Sequence, residues 1–283
     1  MTKKGLLLVL ALVCVLVNGC NRNNKKPQTE SFRYDYGVFL NAEPSDIPYM
    51  KDYKLVVLDV TYFSAEDIQG MHQAGQEVYT YLNVGSLENF RDYYENYSDL
   101  CLGDYENWPE EKWIDVSQKR WQEHIVSMAE AYAKKGIDGF FIDNCDVYYV
   151  YPEEKIFEGL GLMLKDIHNI CPKVLINGGD MFVTEYLNRN HSASDIMSGV
   201  NQECLFSSID FEKETFGEND EEDFSYFEEY VKRCAADGKD VYLLEYTVDE
   251  ALISRIKDYC ADNNFGYYIS STIELTVRPT GEP

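Results

Sequence analysis

The 283-residue chain is poor in cations and in the side chains that usually hold metals. It has 25 Lys and Arg against 50 Asp and Glu, a net charge of −25, and four histidines. A surface this acidic repels nucleic-acid phosphates and anionic lipid, so neither is an expected partner. A cationic partner is what it would attract. No C-x-x-C pair occurs among the eight cysteines, which removes the usual zinc and dithiol motifs. A G-x-S-x-G elbow is also absent, which disfavours a serine hydrolase of that type. The apolar run Leu6 to Val17 falls short of the roughly 20 residues that span a bilayer.

What that run does resemble is a targeting signal. Lys3 and Lys4 precede it, and it ends in Val17-Asn18-Gly19-Cys20, which is similar to a bacterial lipobox. Residues 1–20 are therefore expected to be a lipoprotein signal peptide, with Cys20 the lipidated residue. Residues 21–31, polar with Lys25, Lys26 and Pro27, read as a flexible tether. Residues 32–283 read as one domain. The protein is expected in the cell envelope, outside the cytoplasm, and on the membrane through its lipid anchor only. Six cysteines remain, Cys101, Cys145, Cys171, Cys204, Cys234 and Cys260. Their spacing leaves free thiols and disulfides both open.

From Tyr36 onward short β-rich runs alternate with helical segments, the order of a parallel sheet with crossover helices. Strands are expected at Tyr36–Leu40, Leu55–Asp59, Val78–Asn83, Gly139–Asp143, Val174–Asn177, Gly199–Glu203, Val241–Glu245 and Gly266–Ser270. Helices are expected near Ser64–Ala74, Ser117–Lys135, Pro152–Ile170, Asp180–Arg189, Asp223–Ala236 and Asp249–Asp262. Ser64 and Ser117 are suitable caps, and Gly75, Gly136 and Gly238 suit helix ends. Leu55-Val56-Val57-Leu58 and Val241-Tyr242-Leu243-Leu244 are apolar throughout, as strands covered on both faces require. Eight such strands predict a (β/α)₈ TIM barrel. The alternative, an open doubly wound sheet, would carry a glycine-rich loop after its first strand, where this chain has Asn41-Ala42-Glu43-Pro44.

Polar residues collect at the carboxyl ends of those strands: Asp59, Asn83, Asp143-Asn144, Asn177, Asn201-Gln202-Glu203 and Glu245-Tyr246. In such a barrel that end holds the active site. His72, His124 and His168 fall on helices and His191 after one, so no metal or cofactor is expected. Carboxylates and amides without histidine suit glycosidic bond cleavage, which needs two carboxyl groups flanking the bond. Tyr148, Tyr246 and other tyrosines near strand ends offer faces for sugar rings.

The ordered blocks carry a resemblance. Tyr81-Leu82-Asn83-Val84-Gly85-Ser86 with Glu88, Trp113-Ile114-Asp115-Val116, Gly136 to Asn144 with Asp146, Asn177-Gly178-Gly179, Asn201-Gln202-Glu203 and Glu245-Tyr246-Thr247 follow one another as in glycoside hydrolase family 114. The chain resembles those endo-α-1,4-polygalactosaminidase-like barrels from Tyr36 to about Ser270. The resemblance implies Asp143 and Glu203 as the catalytic pair. By analogy with retaining α-glycosidase barrels, Asp143 is the ionised nucleophile and Glu203 the protonated acid/base. It further implies substrate contacts from Asp59, Asn83, Asn144, Asp146, Tyr148, Asn177, Glu245 and Tyr246, with Asp115 and Glu88 as contacts or structural groups. The implied substrate is a polysaccharide, and a cationic amino-sugar polymer would agree with the acidic balance. Two other readings stay open: a non-catalytic glycan-binding barrel, and a metal-dependent hydrolase using Asp59, Asp143, Asp146 and Glu245.

Overall fold

Two sets of side chains alternate along the strands, and that alternation builds the fold. In the computed structural model, which describes residues 32–213 and 215–277, the strands are β1 (Tyr34–Phe39), β2 (Tyr53–Leu58), β3 (Glu77–Asn83), β4 (Gly139–Asp143), β5 (Val174–Asn177), β6 (Gly199–Glu203), β7 (Asp240–Tyr246) and β8 (Gly266–Ser270). The expected signal peptide, Cys20 and tether lie outside the described residues. One set (Tyr36, Val38, Leu55, Val57, Tyr79, Tyr81, Phe141, Leu175, Leu244 and Tyr246) forms an inner core. The other (Phe39, Val56, Leu58, Val78, Phe140, Ile142, Val174, Ile176, Val200 and Leu243) belongs to a core shared with the helices. A period of two puts successive side chains on opposite faces, so each strand is buried on both.

All eight strands pair in parallel in chain order, from β1 to β8. β8 then packs beside β1, with the rings of Phe39 and Tyr268 5.2 Å apart. This is the (β/α)₈ barrel, and the doubly wound alternative is set aside because its edge strands would stay apart. The inside is filled by large tyrosines. A Cβ on Gly139 would meet the Tyr79 ring at 2.6 Å, and one on Gly266 would meet the Tyr242 ring at 2.4 Å. Glycine makes room there for rings.

Six long helices complete the layer: α1 (Ala65–Gln73), α2 (Lys119–Lys135), α3 (Glu154–Ile170), α4 (Asp180–Asn190), α5 (Glu221–Ala236) and α6 (Glu250–Asn263). Ser64 caps α1 through a reciprocal box, accepting from the Asp67 N–H at 3.1 Å while Asp67 accepts from the Ser64 N–H at 2.9 Å. Gly75 and Gly136 follow α1 and α2 with φ of +91° and +105°. The Ser117 cap does not form: α2 starts at Lys119, and the Ser117 hydroxyl donates to Asp115 at 2.6 Å instead. The six cysteines of the domain are free thiols.

Two insertions rise from the carboxyl end of the barrel. After β3, the short strands Ser86–Glu88, Cys101–Asp104 and Glu111–Ile114 form an antiparallel sheet with the last in the centre. After β6, Ser207–Asp210 pairs with Thr215–Glu218 as a hairpin. Neither insertion is announced by the barrel's alternating pattern.

Candidate active site

A cleft of about 890 Å³ opens at the carboxyl end of the barrel, between the two insertions. Among the described residues eight carboxylates line it: Asp59, Glu88, Glu110, Glu111, Asp143, Asp146, Glu203 and Glu274. Arg91 is the one cation among those described lining residues. Asp59, Asp143, Asn177, Glu203 and Tyr246 all fall on the inward side of the two-residue period, which is why five different strands can aim side chains at one volume.

Asp143 and Glu203 meet through a single amide. Asn177 Nδ2 donates to Asp143 Oδ1 at 3.0 Å and to Glu203 Oε1 at 2.7 Å. Two oxygens held that closely to one nitrogen lie within about 6 Å of each other. The amide has no freedom to turn. Tyr36 donates to Asn201 Oδ1 at 3.0 Å, and Asn201 Nδ2 then donates to Asn177 Oδ1 at 2.7 Å. An ionised carboxylate can only accept, so the Asn177 NH2 must face the pair, its oxygen faces the Asn201 NH2, and the Asn201 oxygen is left for the Tyr36 hydroxyl. Tyr246 donates to Glu203 Oε2 at 2.7 Å. The Tyr81 hydroxyl and the Asn144 N–H lie close enough to favour the charged form of Asp143.

Burial, then the neighbouring Glu203, push the Asp143 carboxyl up to about 6, against the donors that hold it down. The sequence expectation placed the ionised group here, and a carboxyl raised only to about 6 is still mostly ionised at neutral pH.

The other expected residues divide. Asp59 lines the cleft and is paired with Arg91 at 2.9 Å, which also binds Glu88 at 2.5 Å. Asp146 lines the cleft over the start of α4. Its oxygens accept from the Gly179 N–H at 3.2 and 3.3 Å, and burial beside Asp180 and Asp143 pushes its carboxyl up to about 7. Asn144 adopts φ +67° and donates to Ser86 Oγ at 3.0 Å. Its carbonyl oxygen sits 1.7 Å from where a Cβ on Gly85 would be, so only glycine fits there. Asn83 lies behind the cleft, donating to Ser86 Oγ at 2.7 Å and to Glu111 Oε2 at 3.3 Å.

Two expected contacts are placed away from the cleft. Glu245 falls on the outward side of β7 and is fully buried. Its carboxylate accepts from the N–H groups of Leu205, Phe206 and Ser207 at 2.8–3.2 Å and from the Ser207 hydroxyl at 2.6 Å. It anchors the hairpin after β6 and has no lone pair left for a sugar. Tyr148, on the single helical turn Val147–Val150, packs against Phe157 and Phe182. Asp115 is likewise spent on Ser117 and Gln118.

Sequence reasoning missed Glu111 and Arg91. Both sit in the insertion after β3. Glu111 lines the cleft, and Ser86, Asn83 and Asn144 all donate to its Oε2. Burial, with Asp143 and Glu88 nearby, pushes its carboxyl up to about 7. The rim is aromatic: Tyr62, Phe90, Trp108 and Phe211 are all partly exposed there.

The model of glycoside-hydrolase family GH114 matches residues 17–273. A Thermotoga maritima protein with no assigned function is 22% identical over 90% of this chain and 85% of its own length. Among solved structures, the glycoside hydrolase domain of PelA from Pseudomonas aeruginosa superposes with a TM-score of 0.73 at 18% identity, over 85% of this chain and 95% of that one. Ega3 from Aspergillus fumigatus, in complex with galactosamine, gives a TM-score of 0.64 at 17% identity, over 88% and 95%.

Proposed function

Because the chain belongs to glycoside-hydrolase family GH114 and is a glycosidase acting on O-glycosyl bonds, we propose that it is a retaining endo-α-glycosidase of an amino-sugar polysaccharide such as α-1,4-polygalactosamine. One observation carries the reading: the Asn177 amide bridges Asp143 and Glu203. A retaining pair stands roughly 5–5.5 Å apart, whereas an inverting pair needs about 6.5–9.5 Å for a water between them. The shared amide supports the shorter separation.

In this mechanism ionised Asp143 attacks the anomeric carbon while Glu203 protonates the departing glycosidic oxygen. Water then displaces Asp143, giving its proton back to Glu203. The Tyr246 hydroxyl suits both states of Glu203. It donates to the carboxylate and, by rotating, accepts from the acid. The acidic cleft supports a cationic chain, and the rim aromatics offer faces to its rings. We also propose that the enzyme is extracytoplasmic in the cell envelope, held to the membrane by a lipid on Cys20; Cys20→Ala should release the protein from the membrane fraction or leave an unprocessed precursor.

The test is to incubate the soluble domain with partly deacetylated galactosaminoglycan and with other α-linked polysaccharides. Release of oligosaccharides whose new reducing ends are first α by NMR is the expected result. Initial β product would overturn the retaining step. Tight binding without any new reducing ends would favour a non-catalytic glycan binder.

A further inference from the structure

Resting on the amino-sugar reading above, we infer that Glu111 is the residue that selects a free amino group over an acetylated one, by accepting an ammonium on its open carboxylate oxygen.

The argument begins with what the fold does not need. Glu111 stands directly opposite Glu88 across an antiparallel pair. Like charges in that position are destabilising. Glu88 is neutralised by Arg91, and Arg91 is fully committed to Glu88 and Asp59. Glu111 has only neutral donors among its described partners: the Ser86 hydroxyl and the amides of Asn83 and Asn144. A glutamine could accept the same bonds without the like-charge cost, so the negative charge has no structural use.

The geometry then says where the charge is directed. All three donors meet Oε2. Oε1 takes none of them, and the side chain lines the cleft. The Asn144 amide that touches Glu111 belongs to the residue following Asp143, and Glu111 is near enough for the Asp143 charge to act on it. An unpaired carboxylate in a partly desolvated cleft favours a cation more strongly than a hydroxyl or an amide N–H. Acetylation removes that charge and two of the donors, and it adds bulk at the same atom.

The test separates binding from hydrolysis. In a Glu203→Gln background, affinities for a de-N-acetylated galactosamine oligosaccharide and its fully N-acetylated form are measured by calorimetry. The de-N-acetylated form should bind roughly 10–100-fold more tightly, the range of one charge-assisted hydrogen bond. Adding Glu111→Gln should remove most of that ratio, while Glu111→Asp, which keeps the charge, should restore part of it. Circular dichroism and a melting curve report whether each variant is folded. An unchanged ratio in folded Glu111→Gln, or an equal loss for both ligands, overturns the inference. Wild-type hydrolysis of the same two polymers is scored separately. If neither is cleaved the substrate reading fails, while the binding ratio still decides the role of Glu111.

Discussion

Glu245 and Asp143 both sit near the carboxyl ends of strands in one barrel, and burial raises both carboxyls, to about 7 and about 6. Their surroundings differ in kind. Around Glu245 three backbone N–H groups and a hydroxyl saturate the carboxylate, and no face is left for a ligand. Around Asp143 and Glu203 a single amide is shared between two carboxylates, Tyr246 adds one bond to Glu203, and both side chains line a cleft. A raised carboxyl is thus no mark of chemistry by itself. Lone pairs left open toward a cavity are.

The largest effects should fall on one side of this contrast. Asp143→Asn and Glu203→Gln should each lower kcat by roughly 10²–10⁴-fold with little change in Tm. An activated aryl leaving group should partly rescue Glu203→Gln but not Asp143→Asn, because it needs little protonation. Glu245→Gln should do the reverse. Its amide turns donors toward donors, at a cost of about 1–3 kcal/mol of stability per unsatisfied group, while the folded fraction keeps its kcat. Active-site titration alongside a melting curve checks both. An undiminished Tm with a thousandfold loss in Glu245→Gln would collapse the distinction.

The same contrast has a pH signature of intermediate size. Asp143, Asp146, Glu111 and Glu245 are all raised, so the folded chain holds protons that the unfolded chain releases above about pH 4–5. Between roughly pH 5 and 7 the native state binds more protons, and stability therefore falls as pH rises through that window. The lowered carboxyls, such as Asp67 and Asp115, act in the opposite sense only below about pH 4. Tm should be several degrees higher at pH 5 than at pH 8. Activity should run the other way, lost on an acid limb near 6 as Asp143 is protonated and the Asp143–Glu203 pair takes up a second proton. Glu245→Gln should flatten the stability slope and leave the acid limb in place. A displaced limb would mean that Glu245 does reach the reacting groups.

The barrel was legible because a repeated pattern announces it. Gly139–Asp143, Val174–Asn177, Gly199–Glu203 and Gly266–Ser270 have the bounds that the sequence reading assigns them. The misplacement of Glu245 was avoidable from the same pattern. Leu244 and Tyr246 face inward, so the residue between them must face the helices. Tyr148 turned inward on a one-turn helix, too short for any periodicity to reveal its face. Glu111 and Arg91 were hidden for a different reason. They lie in short antiparallel strands and turns within one connection, where pairing depends on residues 8–27 positions apart rather than on local repetition.

The two insertions also meet each other, and this yields the smallest effect. Trp108, from the loop between Cys101–Asp104 and Glu111–Ile114, approaches Phe211, at the end of the hairpin after β6, with ring centroids 6.0 Å apart in an edge-on contact. Both rings line the cleft, and both remain more than a third exposed. Trp108 contributes to the fold through its backbone, whose carbonyl accepts from the Glu111 N–H at 2.9 Å, and alanine keeps that bond. Its indole is therefore free to serve a long ligand. Trp108→Ala should raise KM for the polymer roughly 2–10-fold, the worth of one aromatic stacking contact, with kcat and Tm unchanged. A short aryl glycoside that occupies only the ring beside Asp143 should not register the change. If the aryl glycoside loses kcat as steeply as the polymer loses affinity, the insertions position the catalytic carboxylates themselves. The division between a barrel that reacts and insertions that hold the chain would then have to be redrawn.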